Sequence, residues 1–130
     1  MQQVDIFLVT STKSPGRHRR AWYKYILVCS GRSLEEKTEV RNLTGHQIIL
    51  QCAIAAMNRM QKPSMITIHT DSYYLASAQM KFWEDNQWRR GNGEMLKNAD
   101  LWKKLREVTR PHAIRFRVEP MDPYDDSPSR

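Results

Sequence analysis

Acidic side chains are scarce through most of this 130-residue chain, and cysteine, glycine and long apolar runs are scarcer still. No stretch approaches the roughly 20 apolar residues that cross a bilayer, which excludes a spanning helix. The opening "MQQVDIFLVTST" has no basic leader, apolar core and small-residue cleavage site, so an intracellular, cytoplasmic protein without a membrane partner is expected. Cys29 and Cys52 stand alone in apolar surroundings without metal-like spacing, and two reduced thiols are expected in place of a disulfide or a zinc site. No internal repeat and no domain-sized linker interrupts the chain. At 15.4 kDa it is large enough for one domain with its own hydrophobic core.

The shortage of acid is uneven. Residues 1–118 hold 20 Lys and Arg against 10 Asp and Glu, whereas "EPMDPYDDSPSR" at 119–130 holds one basic and four acidic side chains. A basic body favours a polyanionic partner, because neutralising phosphates releases their counterions. The expected organisation is a single domain over 1–118 followed by an acidic, proline-containing tail over 119–130.

Periodicity gives the elements. Apolar, β-prone runs at 4–9 and 21–29, the turn "SGRS" and the segment 34–43 predict a three-stranded meander, with the basic burst "SPGRHRR" in a preceding turn. Thr44 and Gln47 have capping-box spacing, and Ile49, Ala53, Ala56 and Met60 then share one helical face before Pro63. "MITIHT" (65–70) predicts a fourth strand and "SYYLASAQMKFW" (72–83) a helix. A polar, glycine-broken segment follows at 84–98. An amphipathic helix with Leu101, Leu105 and Val108 as its stripe is predicted over 99–110, and "HAIRFRVEP" alternates as a fifth strand. The order β-β-β-α-β-α-α-β predicts an α/β fold: three antiparallel strands, then two added in parallel through helical crossovers.

Asp71 falls where a strand meets a helix, the place where α/β sheets put ligands. A lone carboxylate is a poor site for hard divalent cations, which take several oxygen ligands. Two basic clusters interleave with aromatics: Arg17, Arg19 and Arg20 beside His18 and Trp22, and Arg89 and Arg90 beside Trp88. That pairing suits nucleic acid, since guanidinium groups bind phosphate and flat rings stack on bases. Trp22, in a strand, and Trp102, in the amphipathic helix, are expected in the core. Trp88, among polar neighbours, is expected at the surface, and Trp83 is open between the two. Structural roles are expected for His69 and His112.

The stretches "VDIFLVTS", "IHTDSYYL" and "WRRG…LKNADLWKKL" resemble type 1 ribonuclease H over about residues 4–118. The resemblance implies a ribonuclease H-like mixed five-stranded sheet and two-metal cleavage of RNA in RNA/DNA hybrids, with four carboxylates around the metals. Asp71 matches the third carboxylate. Val9, followed by Thr10, stands at the first, and Ile49, flanked by Gln47 and Gln51, at the second. The final helix that carries the fourth is not found. For substrate contact the resemblance carries over Thr44 and Asn98, Ser14 as a partial match, and the protrusion residues Trp83, Trp88, Arg89 and Arg90.

The expectation is therefore a catalytically impaired, ribonuclease H-like protein that binds RNA/DNA hybrid or structured, double-stranded RNA through a basic surface, with no cofactor. One alternative is a nuclease using Mg2+ or Mn2+, with Asp71 joined by tail carboxylates Asp122, Asp125 and Asp126 and by Glu119. Another is a protein-interaction scaffold, in which a second copy or another protein covers a sheet face left bare by the missing helix.

Overall fold

The structure is a computed structural model of the chain, and residues 1–122 are described. Among the described residues a 5-stranded mixed sheet carries four helices; with strands numbered in chain order as β1 (Gln2–Thr10), β2 (Arg17–Cys29), β3 (Arg32–Thr44), β4 (Ser64–Thr70) and β5 (Ala113–Val118), its order is β3-β2-β1-β4-β5. Strands β1, β2 and β3 form the antiparallel meander. Strands β4 and β5 join β1 in parallel, as expected from the helical crossovers. The helices are α1 (Gly45–Met57), α2 (Tyr73–Ala76), α3 (Met80–Asp85) and α4 (Ala99–Thr109). Among the described residues no helix is long and apolar enough to cross a membrane.

Alternation along β1 and β4 sends Val4, Ile6, Leu8, Ile66 and Ile68 under α1, where Ile48, Ile49, Leu50, Cys52, Ala53, Ala56 and Met57 meet them. The buried side of α1 is thus wider than the expected stripe, and Met60 lies beyond the helix end, only partly buried. Helix α4 adds Trp102 and Leu105, with Leu101 and Val108 at the margin. Cys52 is a buried free thiol whose pKa is pushed up by burial, and Cys29 is free and half-buried.

Two boundaries and the placement of one side chain differ from the sequence reading. The basic burst at 17–20 is the start of β2, which pairs with β3 as far as Arg17–Thr44. The expected helix over 72–83 is two short helices. Ser72 Oγ accepts from the Leu75 N–H at 3.1 Å to start α2, and Ser77 Oγ donates to the Tyr73 carbonyl at 2.5 Å as it ends. Such side-chain bonds compete with helix continuation. Trp88 is not at the surface: Gln87 and Trp88 both adopt left-handed backbone (φ 59° and 60°), and the Trp88 N–H donates to the Trp83 carbonyl at 2.7 Å. That tight reversal swings the indole inward to 8% exposure.

The sheet face turned away from α1 is not bare at its centre either. Phe7, Val9 and Ile26 are buried there, and the Phe7 ring stacks on His69 at 4.2 Å. His69 lies between Asp5 Oδ1 (2.8 Å from Nε2) and Glu119 Oε1 (3.0 Å from Nδ1), so its role there is structural. His112 is structural too, its Nδ1 accepting from the Ser64 N–H at 3.1 Å.

Candidate nucleic-acid interface and the Asp71 pocket

Parallel pairing puts the C-terminal ends of β1 and β4 at one end of the sheet, and the N-terminus of α1 enters there because Thr44 pairs with Arg17. Thr44 Oγ1 accepts from the Gln47 N–H at 3.1 Å, while Gln47 Oε1 accepts from the Thr44 N–H at 2.9 Å. The capping box read from sequence is complete and fixes the helix end. Gly45 is required at the next position: a Cβ there would lie 2.1 Å from the Ser14 carbonyl oxygen. The loop carrying Ser14 is thereby packed against the start of α1.

Between these elements lies a cavity of about 190 Å³ lined by Thr10, Thr12, Lys13, Ile49, Asp71 and Tyr74, among others. Its charged wall consists of one carboxylate and one ammonium: Lys13 Nζ is 3.1 Å from Asp71 Oδ2. Ile49 is buried, and Thr10 rather than Val9 faces the cavity; Val9 pairs with Lys24 and is buried. Thr10 Oγ1 donates to the Thr12 carbonyl at 2.9 Å. Two divalent cations held close together need several carboxylates, and this donor set does not fit them. Among the described residues no group of three or more His, Cys, Asp or Glu is placed to hold a metal. Glu119 is committed to His69 and to Arg117 (3.1 Å), and Asp125 and Asp126 lie outside the described residues.

Aromatic rings build another part of the wall, with an amide and indoles behind them. His46 stacks on Tyr74 with ring centres 3.7 Å apart and planes within 3°. Burial, with Lys97 nearby, holds the His46 pKa below its ordinary value. The Tyr74 hydroxyl accepts from Asn98 Nδ2 at 3.2 Å and from Trp102 Nε1 at 3.1 Å. Asn98 has left-handed backbone (φ 62°) at the start of α4, so this candidate contact residue also ties α4 to α2. Trp83 is half-buried, edge-on to Trp102 at 5.0 Å. No local pattern points to Lys13, His46 or Tyr74, since each acquires its place through residues tens of positions away.

Outside the pocket the charges are arranged differently. Arg17, Arg19 and Arg20 are exposed on the part of β2 that runs past the end of β1. Arg20 sits directly across from Arg41 of β3, a like-charge pair that an anion would relieve. A groove of about 410 Å³ runs between Arg20, Trp22, Glu39 and Arg41. Trp22 is half-buried there beneath Lys37, whose Nζ is 4.4 Å from the ring centre, and is not part of the core as expected. Arg89 and Arg90 are exposed on a small hairpin in which the Arg90 N–H donates to the Glu94 carbonyl (2.7 Å) and Arg89 Nη1 to the Gly93 carbonyl (2.9 Å). None of these five arginines forms an ion pair among the described residues. The base of the hairpin is anchored by Glu84, which accepts from Arg110 and Arg106; Arg110 first, then Arg106, holds its carboxyl below the usual range.

Comparison with known proteins agrees with this layout. The RNase H family model matches residues 4–118. The ribonuclease H of Gluconobacter oxydans is 32% identical over 92 residues, 68% of this chain and 61% of that protein. The ribonuclease H of Novosphingobium aromaticivorans is 27% identical over 119 residues, 89% of this chain and 82% of that protein. Among solved structures, LC9-RNase H1, a type 1 RNase H with the type 2 active-site motif, superposes with TM-score 0.72 at 17% identity over 91% of this chain and 63% of that chain. LC11-RNase H1 in complex with an RNA/DNA hybrid superposes with TM-score 0.62 at 11% identity, covering 90% of this chain and 85% of that one. At such identities the likeness to the solved structures is one of fold.

Proposed function

The chain belongs to the RNase H family, and from that premise we propose that it is a catalytically impaired member that binds RNA/DNA hybrid or structured RNA. One observation carries the reading: the lysine ammonium of Lys13 takes up Asp71, while Arg17, Arg19, Arg20, Arg89 and Arg90 keep their charge unpaired among the described residues. A cation tethered to the chain balances the remaining carboxylate, and Ile49 and Thr10 offer no further charge to hold metal ions. Arg17, Arg19, Arg20, Arg89 and Arg90 engage phosphates without base selectivity. The N-terminus of α1 adds its partial positive charge, and the Thr44 hydroxyl retains a hydrogen to donate. Ser14 and Asn98 contact the backbone from either side of that helix end. Residues 1–118 act as one domain, with 119–130 as an acidic tail, and binding needs no metal. That the hybrid is the ligand class is supported by the family and by the LC11-RNase H1 complex.

The test is cleavage of an end-labelled RNA/DNA hybrid in Mg2+ and in Mn2+, with Asp71→Asn alongside, followed by binding to the same hybrid at rising salt. No cutting in either metal and salt-sensitive binding are expected. Cutting that Asp71→Asn abolishes would replace this function with that of a metal-dependent nuclease whose further carboxylates come from the tail.

A further inference from the structure

β3 is an edge strand of 13 residues, and among the described residues nothing pairs with its outer side. Its side chains follow a charge pattern with its own symmetry, and we propose that two copies of the chain associate by antiparallel pairing of β3 with β3, centred on Thr38.

The backbone determines which residues can take part. Ser30 and Gly31 (φ 53° and 77°) form a two-residue turn of the I′ kind, closed by Cys29 and Arg32. The closing pair of such a turn exchanges both hydrogen bonds, so the even-numbered residues of β3 bond inward to β2. Ser33, Glu35, Lys37, Glu39 and Arg41 then present their N–H and C=O groups to the free edge. These same residues alternate onto the face away from α1. Asn42 (φ 58°) breaks the regular strand just beyond them.

Charge selects one register. With Thr38 opposite Thr38, Lys37 faces the partner's Glu39 and Glu35 faces the partner's Arg41. The two-fold axis repeats both contacts, giving four opposite-charge pairs. Sliding by two residues one way sets Lys37 on Lys37 and Glu35 on Glu39. Sliding the other way sets Glu39 on Glu39 and Lys37 on Arg41. A one-residue slip takes the outward groups out of register altogether. The side chains are available for this. Glu36, on the inward set, is taken by Tyr25 and Arg59, whereas Glu35, Glu39 and Arg41 have no ion-pair partner among the described residues. Lys37 is already ordered over Trp22. Pairing also gives Arg41 a carboxylate, relieving its like-charge contact with Arg20.

Sedimentation equilibrium on wild type, Glu35→Arg, Arg41→Glu and an equimolar mixture of the two variants tests the proposal. The wild type is expected to dimerise, and less so at high salt. Each variant alone, now placing like charges opposite, should dimerise at least about tenfold more weakly. The mixture should recover association, because in the mixed dimer the two substituted side chains face each other with opposite charge, and the unsubstituted Glu35 and Arg41 do the same. Recovery also excludes misfolding as the cause. Thr38→Cys reports the register: residues at a non-hydrogen-bonded antiparallel pair lie about 4.5 Å apart in Cα, within disulfide reach. Mild oxidation should give a covalent dimer with this variant and not with the wild type, which keeps Cys29 and Cys52. A monomeric wild type, variants that dimerise undiminished, or a mixture that fails to associate would overturn the proposal.

Discussion

Two charged regions of the molecule solve opposite problems. In the pocket, Asp71 and Lys13 satisfy each other, and the wall around them is made of packed rings and an isoleucine. On the rim, five arginines are exposed and form no ion pair among the described residues. The pocket thus carries a matched charge pair beside the buried Ile49, and the rim carries unmatched charge. Asp71 is thus informative only together with its neighbours, Ile49 and Lys13, which bring no second carboxylate to it.

The contrast is tested most severely from the pocket side. Trp102→Ala, removing a fully buried indole that donates to Tyr74, should cost about 3–5 kcal/mol in urea denaturation. A loss under about 1 kcal/mol would mean that the packing behind Tyr74 is not core. On the rim, Arg19→Glu/Arg20→Glu/Arg89→Glu/Arg90→Glu should leave the urea midpoint nearly unchanged. Hybrid affinity by fluorescence anisotropy should fall by roughly a hundredfold, with a flatter dependence on salt. Unchanged affinity would move the interface away from these arginines.

A smaller effect marks the boundary between the regions. Thr44→Ala removes one half of the capping box and should cost about 1 kcal/mol, measurable by thermal denaturation. The smallest effect concerns pH. Burial depresses the pKa of His46 and of His112 below the ordinary 6.5, so below that pH the unfolded chain takes up more protons than the folded one. Their contribution to stability is present above about pH 6.5 and is lost as pH falls through the depressed values. His46→Gln should flatten the decline of Tm between about pH 7.5 and about pH 5; an unaltered slope would remove His46 from that account.

Strand order and the start of α1 were legible because they are written locally, in alternation, in "SGRS" and in the Thr44–Gln47 spacing. The fold-level resemblance rested on short runs that keep their order. What escaped was set at a distance. Lys13 meets Asp71 across 58 positions, and nothing around either residue announces the pairing. Trp88 has polar neighbours in sequence, yet a left-handed reversal turns it inward. The bare sheet face expected from a missing helix is closed at its centre by His69, pinned between carboxylates 64 positions before it and 50 after it.

The turn at Ser30–Gly31 bears on how the molecule comes together in time. It joins two 13-residue strands with almost no loop to close, so the β2–β3 hairpin belongs to the events of about 1–10 μs. The β1–β4 pairing, which sets Gln2 on Ser64 across 62 residues, requires a far larger closure and most of the intervening chain already collapsed. The edge with the self-matching charges, and the arginines of β2 with it, is thus made early, and the Asp71 pocket, which needs β1 and β4 side by side, is made late. During synthesis or refolding, neighbouring chains would meet one another's hairpins before any of them had closed its Asp71 pocket.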